Sequence, residues 1–142
     1  MMIRSLLCSG TLLMATSWIN PAMAEDTLYE RLGGAEGISV VVDHFIDEIS
    51  FDRRIYPFFK DSDIERFRNK FSEQLCAVSD GPCIYSGDDM PTVHTGMNIS
   101  ETDFNRVVEL LQKAMADSGI PYTDQNRLLQ RLAPLRGEML HR

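Results

Sequence analysis

The chain has 142 residues and a formal net charge of −7, with 21 acidic side chains against 14 Lys and Arg. That length suits one domain, and the negative charge excludes nucleic acid and anionic membrane surfaces as natural partners. The acidic residues are spread along the chain, so they read as solvated surface.

Residues 1–24 read as a leader. Arg4 gives a positive start, Leu6–Ile19 is mostly apolar, and Ala22-Met23-Ala24 is a small-x-small cleavage site. This is the pattern of a secretory signal peptide cleaved before Glu25. The apolar run is short of the roughly 20 residues a membrane span needs and contains Ser and Thr. Arg4 is the only charge removed, which leaves about 118 residues at about −8. The expected location is periplasmic or secreted, with no membrane attachment after leader removal.

The remainder, 25–142, reads as four amphipathic helices. A short helical turn ends at Gly33-Gly34, a pair that stops a helix and permits close packing. Ile38, Val41, Val42, Phe45, Ile46 and Ile49 then recur at +3, +4, +7, +8 and +11, one apolar stripe of a long helix. Asp52–Arg54 and Pro57 make a corner, followed by Phe58-Phe59. Ser62 and Glu65 have the spacing of a capping box. After them Ile64, Phe67, Phe71, Leu75 and Val78 form a second, aromatic stripe that Asp80-Gly81-Pro82 breaks.

A loop rich in Gly, Pro, Asp and Ser follows, with a short helix expected around Pro91–Thr95. Ser100 caps a third long helix, with Asp103 as a weaker box partner and Phe104, Val107, Val108, Leu111 and Met115 on its face. Gly119 marks its C-terminal end. Thr123 is expected to cap the last helix, which Leu128, Leu129, Leu132, Leu135 and Met139 line and Pro134 kinks. No strand, internal repeat or linker has a candidate. The fold class is all-α; periodicity alone does not separate a parallel bundle from crossed helix pairs.

Cys76 and Cys83 follow the leader. Export would place them where a disulfide is permitted, and a loop this short would contribute roughly 2–3 kcal/mol on the chain-entropy model. Two free, partly buried thiols are the alternative. No Cys-x-x-Cys-His occurs, so covalent haem attachment by that motif is excluded.

The chemistry centres on Tyr85–Phe104, which holds His94 among Met90, Val93, Met97 and Ile99. Judged by itself, a lone histidine is more often a core or surface residue than a ligand. However, Tyr-x-Gly-x-x-Met-x-x-x-His-x-Gly-x-x-Ile, with Phe104 ten residues after the histidine, resembles the proximal segment of group I truncated haemoglobins. Leu28-Tyr29-Glu30-Arg31-Leu32-Gly33-Gly34, Phe58-Phe59 and Leu132-Ala133-Pro134-Leu135 resemble the same family in the same order, over about residues 27–140.

The resemblance implies a globin-like, truncated two-over-two helical sandwich holding haem b, with His94 as the axial iron ligand. The proximal wall is then Met90, Val93, Met97, Ile99, Phe104, Val108 and residues around Leu129. The distal wall is Phe45, Ile46, Phe59, Ile64, Phe67 and Phe71. Arg68 and Lys70 flank the phenylalanine stripe as candidate propionate partners. Many relatives carry Tyr after the phenylalanine of the second helix and Gln on the distal helix. Here those positions hold Ile46, Phe67 and Phe71; Gln74 lies one turn further on, and His44 is expected to turn away.

An apolar distal side offers no hydrogen-bond donor to oxygen. A donor to a charged acceptor is worth roughly 1.5–3 kcal/mol, so its loss weakens oxygen affinity about tenfold to a hundredfold. The leading expectation is reversible binding of a small diatomic gas (oxygen, nitric oxide or carbon monoxide), for oxygen carriage or nitric oxide binding. A nitric oxide dioxygenase working with a separate electron-donating reductase, and a haem-free globin-shaped sensor, are the alternatives.

Overall fold

The computed structural model describes residues 25–142; the leader reading of 1–24 lies outside the described residues. Eight α-helices and one 3-10 turn follow in chain order, with no strand among the described residues. They are α1 (Leu28–Arg31), α2 (Gly34–Phe51), α3 (Tyr56–Phe59), α4 (Ile64–Val78), α5 (Met90–His94), α6 (Glu101–Asp117), α7 (Tyr122–Leu132), the turn Ala133–Leu135 and α8 (Arg136–Met139).

The apolar stripe of α2 organises the core. Ile38, Val41, Val42, Phe45 and Ile49 are all buried, and Ile46 is half-buried beside them. This stripe packs on α6 and α4, against Leu75, Leu110, Leu111, Ala114 and Met115. Leu128 of α7 closes the core from below. The pairs α2/α4 and α6/α7 form the expected two-over-two sandwich. A bidentate pair between Arg31 and the buried Asp124 (2.7 and 3.0 Å) ties α1 to α7. No helix among the described residues is long and apolar enough to cross a membrane.

Most helix ends follow local chemistry. Asp52 stops α2 by accepting from the N–H groups of Arg54 and Ile55, both at 2.9 Å, and from Arg106 at 2.7 Å. Burial opposes ionisation of Asp52, but the Arg106 guanidinium and the two N–H donors outweigh it and hold the carboxyl below its usual range. The Ser100–Asp103 box forms at the start of α6. Its far end is a Schellman motif: Ile120 N–H donates to Met115 O and Gly119 N–H to Ala116 O, with Gly119 at φ +74°.

Three ends differ from the sequence reading. Asp63, not Ser62, caps α4, accepting from Arg66 N at 3.0 Å. A carboxylate there offers a charge-assisted acceptor to the helix N-terminus, and Glu65 is drawn to Arg68 instead of closing the box. Thr123 does not cap α7; the Pro121 carbonyl accepts from Asp124 and Gln125, and the helix starts at Tyr122. Pro121 pre-sets the φ that entry needs, while the Asp124 side chain is committed to Arg31. Pro134 does more than kink the last helix. Lacking an N–H, it converts Ala133–Leu135 to a 3-10 turn and leaves α8 as a separate piece.

The turn after α4 is tight. The Sγ atoms of Cys76 and Cys83 lie at bonding distance, with their Cα atoms 5.8 Å apart. Gly81 N–H donates to Cys76 O. A Cβ on Gly81 would stand 2.6 Å from Cys76 Sγ, 2.6 Å from Tyr29 Cδ2 and 2.8 Å from Cys76 O. Two of these atoms belong to packed groups and one to the backbone, so the space cannot open cheaply. Gly81→Ala is expected to cost about 1–3 kcal/mol, read as a lower denaturant midpoint at unchanged m-value. An unchanged midpoint would show that the turn yields.

Candidate functional site

The short helix expected around Pro91–Thr95 is α5. Asp89 caps it, accepting from Thr92 N at 2.8 Å, and Pro91 fits the first turn where no N–H is needed. Hydrogen bonds from Thr92 hold the Asp89 carboxyl below its usual range. His94 is the last residue of α5, and its Nδ1 lies 2.7 Å from Met90 O. A carbonyl oxygen only accepts, so Nδ1 carries a proton, and in the neutral ring Nε2 is then the nitrogen with the lone pair. That is the tautomer and orientation a metal-binding imidazole requires. The side chain is half-buried, and Met90 beneath it is buried.

An aromatic cluster occupies the other part of the predicted slot. Phe45, on α2, is buried, with its ring centroid 5.2 Å from Phe71 and 6.4 Å from Phe67. Phe67 and Phe71 stack at 5.5 Å, and Phe59 meets Phe67 edge-on at 5.1 Å. Apart from Phe45, these rings are half-buried and packed against the core. Ile46, Met97, Ile99, Phe104, Val108 and Leu129 are likewise half-buried. Ile64 and Val93 stand more open, at 38% and 43% exposure. Arg136 sits over the Phe104 ring at 5.6 Å.

The polar side chains near the slot are committed elsewhere. His44 Nδ1 lies 2.9 Å from Ser118 Oγ, across the α2–α6 contact. Gln74 reaches Met90 Sδ at 3.5 Å. Arg68 pairs with Asp43 (2.7 Å) and Glu65. Lys70 pairs with Glu73 (3.0 Å) and donates to Ser86 Oγ at 2.5 Å. Both candidate propionate partners therefore already hold acidic partners. An open groove of about 700 Å³ runs along the polar side of α4 at Arg66, Lys70 and Glu73, and no phenylalanine lines it.

Sequence reasoning did not find the contacts that fasten the loop before α5. Glu73 accepts from Ser86 N at 3.0 Å and Ser86 Oγ at 2.8 Å. Only its i, i+3 spacing from Lys70 was legible. The Ser86 N–H, then Lys70 and the Ser86 hydroxyl, pull the Glu73 carboxyl from 4.5 down to about 2. A carboxyl depressed by folding stabilises the fold above its unfolded pKa, and the contribution is lost as pH falls through the folded value. Denaturation of the native chain and E73Q at stepped pH is expected to give stabilities that converge between about 4.5 and 2. A constant difference across that window would remove Glu73 from the acid response.

No group of three or more His, Cys, Asp or Glu among the described residues is placed to hold a metal ion. A single imidazole donor at the end of α5, in a fold whose α2, α3 and α4 also gather an apolar aromatic cluster, instead fits a metal whose remaining ligands come from a flat macrocycle. The crossed helix pairs and this donor are those of a small helical protein of the globin class.

The comparisons agree. The family model described as bacterial-like globin matches residues 27–141. The chain is 31% identical to the group 1 truncated haemoglobin GlbN of Nostoc sp. (strain MUN 8820), over 82% of this chain and 98% of that one. It is 32% identical to GlbN of Mycolicibacterium paratuberculosis, over 80% and 83%. The crystal structure of the truncated haemoglobin from Tetrahymena pyriformis in its Fe(III) form superposes with a TM-score of 0.79 at 27% identity, covering 82% of this chain and all of that one. The chain belongs to the bacterial-like globin family, as a truncated haemoglobin of group 1. Membership implies haem-based gas binding.

Proposed function

We propose that the protein is a b-type haem protein that reversibly binds a small diatomic gas in an apolar distal pocket, for oxygen carriage or nitric oxide binding. When bound, haem supplies the iron at which the gas is held. The observation that carries the reading is the His94 imidazole, fixed through Nδ1 to the Met90 carbonyl with Nε2 left as the donor. Non-covalent haem is supported by the cysteines: Cys76 and Cys83 face each other, and no Cys-x-x-Cys-His attachment motif exists.

The choice of gas rests on Ile46, Phe67 and Phe71. None of these side chains donates a hydrogen bond or coordinates a metal. Their rings and methyl groups exclude water and leave a polar ligand unsupported, so the pocket disfavours tight oxygen storage. Carbon monoxide and nitric oxide, less polar when bound, suffer less. Absorption spectra of the ferric, ferrous and carbon monoxide forms test this. The expected ferrous spectrum is five-coordinate with one broad visible band. A low-spin six-coordinate spectrum would reveal a second protein ligand, and failure to take up haem would overturn the reading.

The same proposal places the protein in the periplasm or outside the cell, processed before Glu25, with Cys76 and Cys83 joined. Their approach in the fold and the Ala22-Met23-Ala24 motif support this. Mass spectrometry of the native protein is expected to find Glu25 first and no thiol labelled under denaturing, non-reducing conditions. An intact leader on soluble protein, or two labelled cysteines, would refute it.

A further inference from the structure

We propose that Glu73 is a positioning residue for the iron ligand: by holding Ser86 at both its N–H and its hydroxyl, it fixes the loop before α5 against α4 and so sets the height and azimuth of the His94 imidazole. The inference rests on the reading of His94 as the axial donor.

The loop runs back along one face of α4. Cys83 lies against Cys76, Ser86 against Glu73 and Lys70, and Asp88 against Arg66. These α4 positions recur about one per turn, so successive loop residues dock on a single ridge. Phe67 and Phe71 belong to the aromatic cluster instead. One rigid helix thus carries a wall of the gas pocket and the ridge on which the proximal loop is seated.

Among these contacts Glu73 is the strongest non-covalent one. It accepts from Ser86 N, Ser86 Oγ and Lys70 Nζ, all within 3.1 Å. Arg66–Asp88 is a 3.3 Å pair with both side chains about 60% exposed, worth little in water. The cysteine pair lies further upstream. Between Ser86 and Met90 stand only three residues, and Asp89 caps α5 there. Met90 O is the acceptor that orients the imidazole. Releasing Ser86 therefore loosens the short lever that ends on His94. The depressed Glu73 carboxyl agrees with an acceptor engaged from several sides.

The test uses the full haem-loaded chain in its ferrous form and reads the iron–histidine stretching band by resonance Raman. E73A is expected to shift and broaden the band, because the imidazole then samples several azimuths. S86A, which leaves only the N–H, is expected to give a smaller change of the same sense. E73Q keeps an oxygen acceptor for Ser86 and is expected to restore most of the native band. A native band in E73A beside a lowered melting temperature would overturn the proposal and leave Glu73 as a stabilising residue only. If E73A does not hold haem, an unchanged band in S86A is the overturning result. H94A is the control: a band that survives it would mean that His94 is not the ligand, a failure separate from that of the latch.

Discussion

His94→Ala is expected to abolish normal haem ligation: the purified protein loses its native Soret band, while its far-ultraviolet circular dichroism stays near that of the native chain. The two readouts separate because His94 ends the five-residue α5 and is only half-buried, whereas the core is built by α2, α4, α6 and α7. Neither of the other two histidines is free to take its place among the described residues. His44 is held at Ser118 Oγ, across the α2–α6 contact, and His141, docked at Ile99 through its backbone N–H, has an exposed side chain. Added imidazole is expected to restore a five-coordinate ferrous spectrum, since the cavity left by the side chain accepts the free ring. A native Soret band in the variant would assign the iron to another donor.

Ile46→Tyr is expected to slow oxygen release by about tenfold or more. A hydroxyl donating to a partly charged ligand contributes roughly 1.5–3 kcal/mol, and 1.4 kcal/mol is tenfold. Ile46 follows the buried Phe45 and is itself half-buried, so a longer side chain fits there without overpacking the buried core. Carbon monoxide release is expected to change far less, because that ligand gains little from a donor. Stopped-flow displacement of oxygen by carbon monoxide measures the first rate, and displacement of carbon monoxide by nitric oxide the second. An unchanged oxygen rate would place a donor already in the pocket or point the new hydroxyl away from it.

Long-period features were legible in the sequence. The α2 stripe, the Ser100–Asp103 box and the Gly119 stop each follow from residues within a few turns of one another, so local spacing suffices. Where two neighbours compete for one role, spacing failed. Asp63 displaced Ser62 as the cap of α4 because a charged acceptor is stronger, and Thr123 lost its place to the backbone of Pro121. In the site, His94 and the phenylalanine stripe were legible as types in a pattern. The fates of Arg68 and Lys70 were less so. Arg68 is claimed by Asp43 from another helix, and Lys70 shares Glu73 with Ser86, a residue beyond the turn. Such pairings are set by tertiary approach, which no local period encodes.

Downstream of His94 the chain is also fastened. Asn98 N–H donates to Arg142 O at 2.8 Å, His141 N–H donates to Ile99 O at 3.1 Å, and α8 packs on α5. The segment bearing the histidine is thus moored to α4 on one side and to residues 140–142 on the other. The proximal side is thus a joint assembly of segments distant in sequence. The seat of His94 is complete only when residues 141 and 142 are docked on 98 and 99. The amides of Asn98 and His141, donors across the same docking, are therefore expected to open together, read as matched hydrogen-exchange rates.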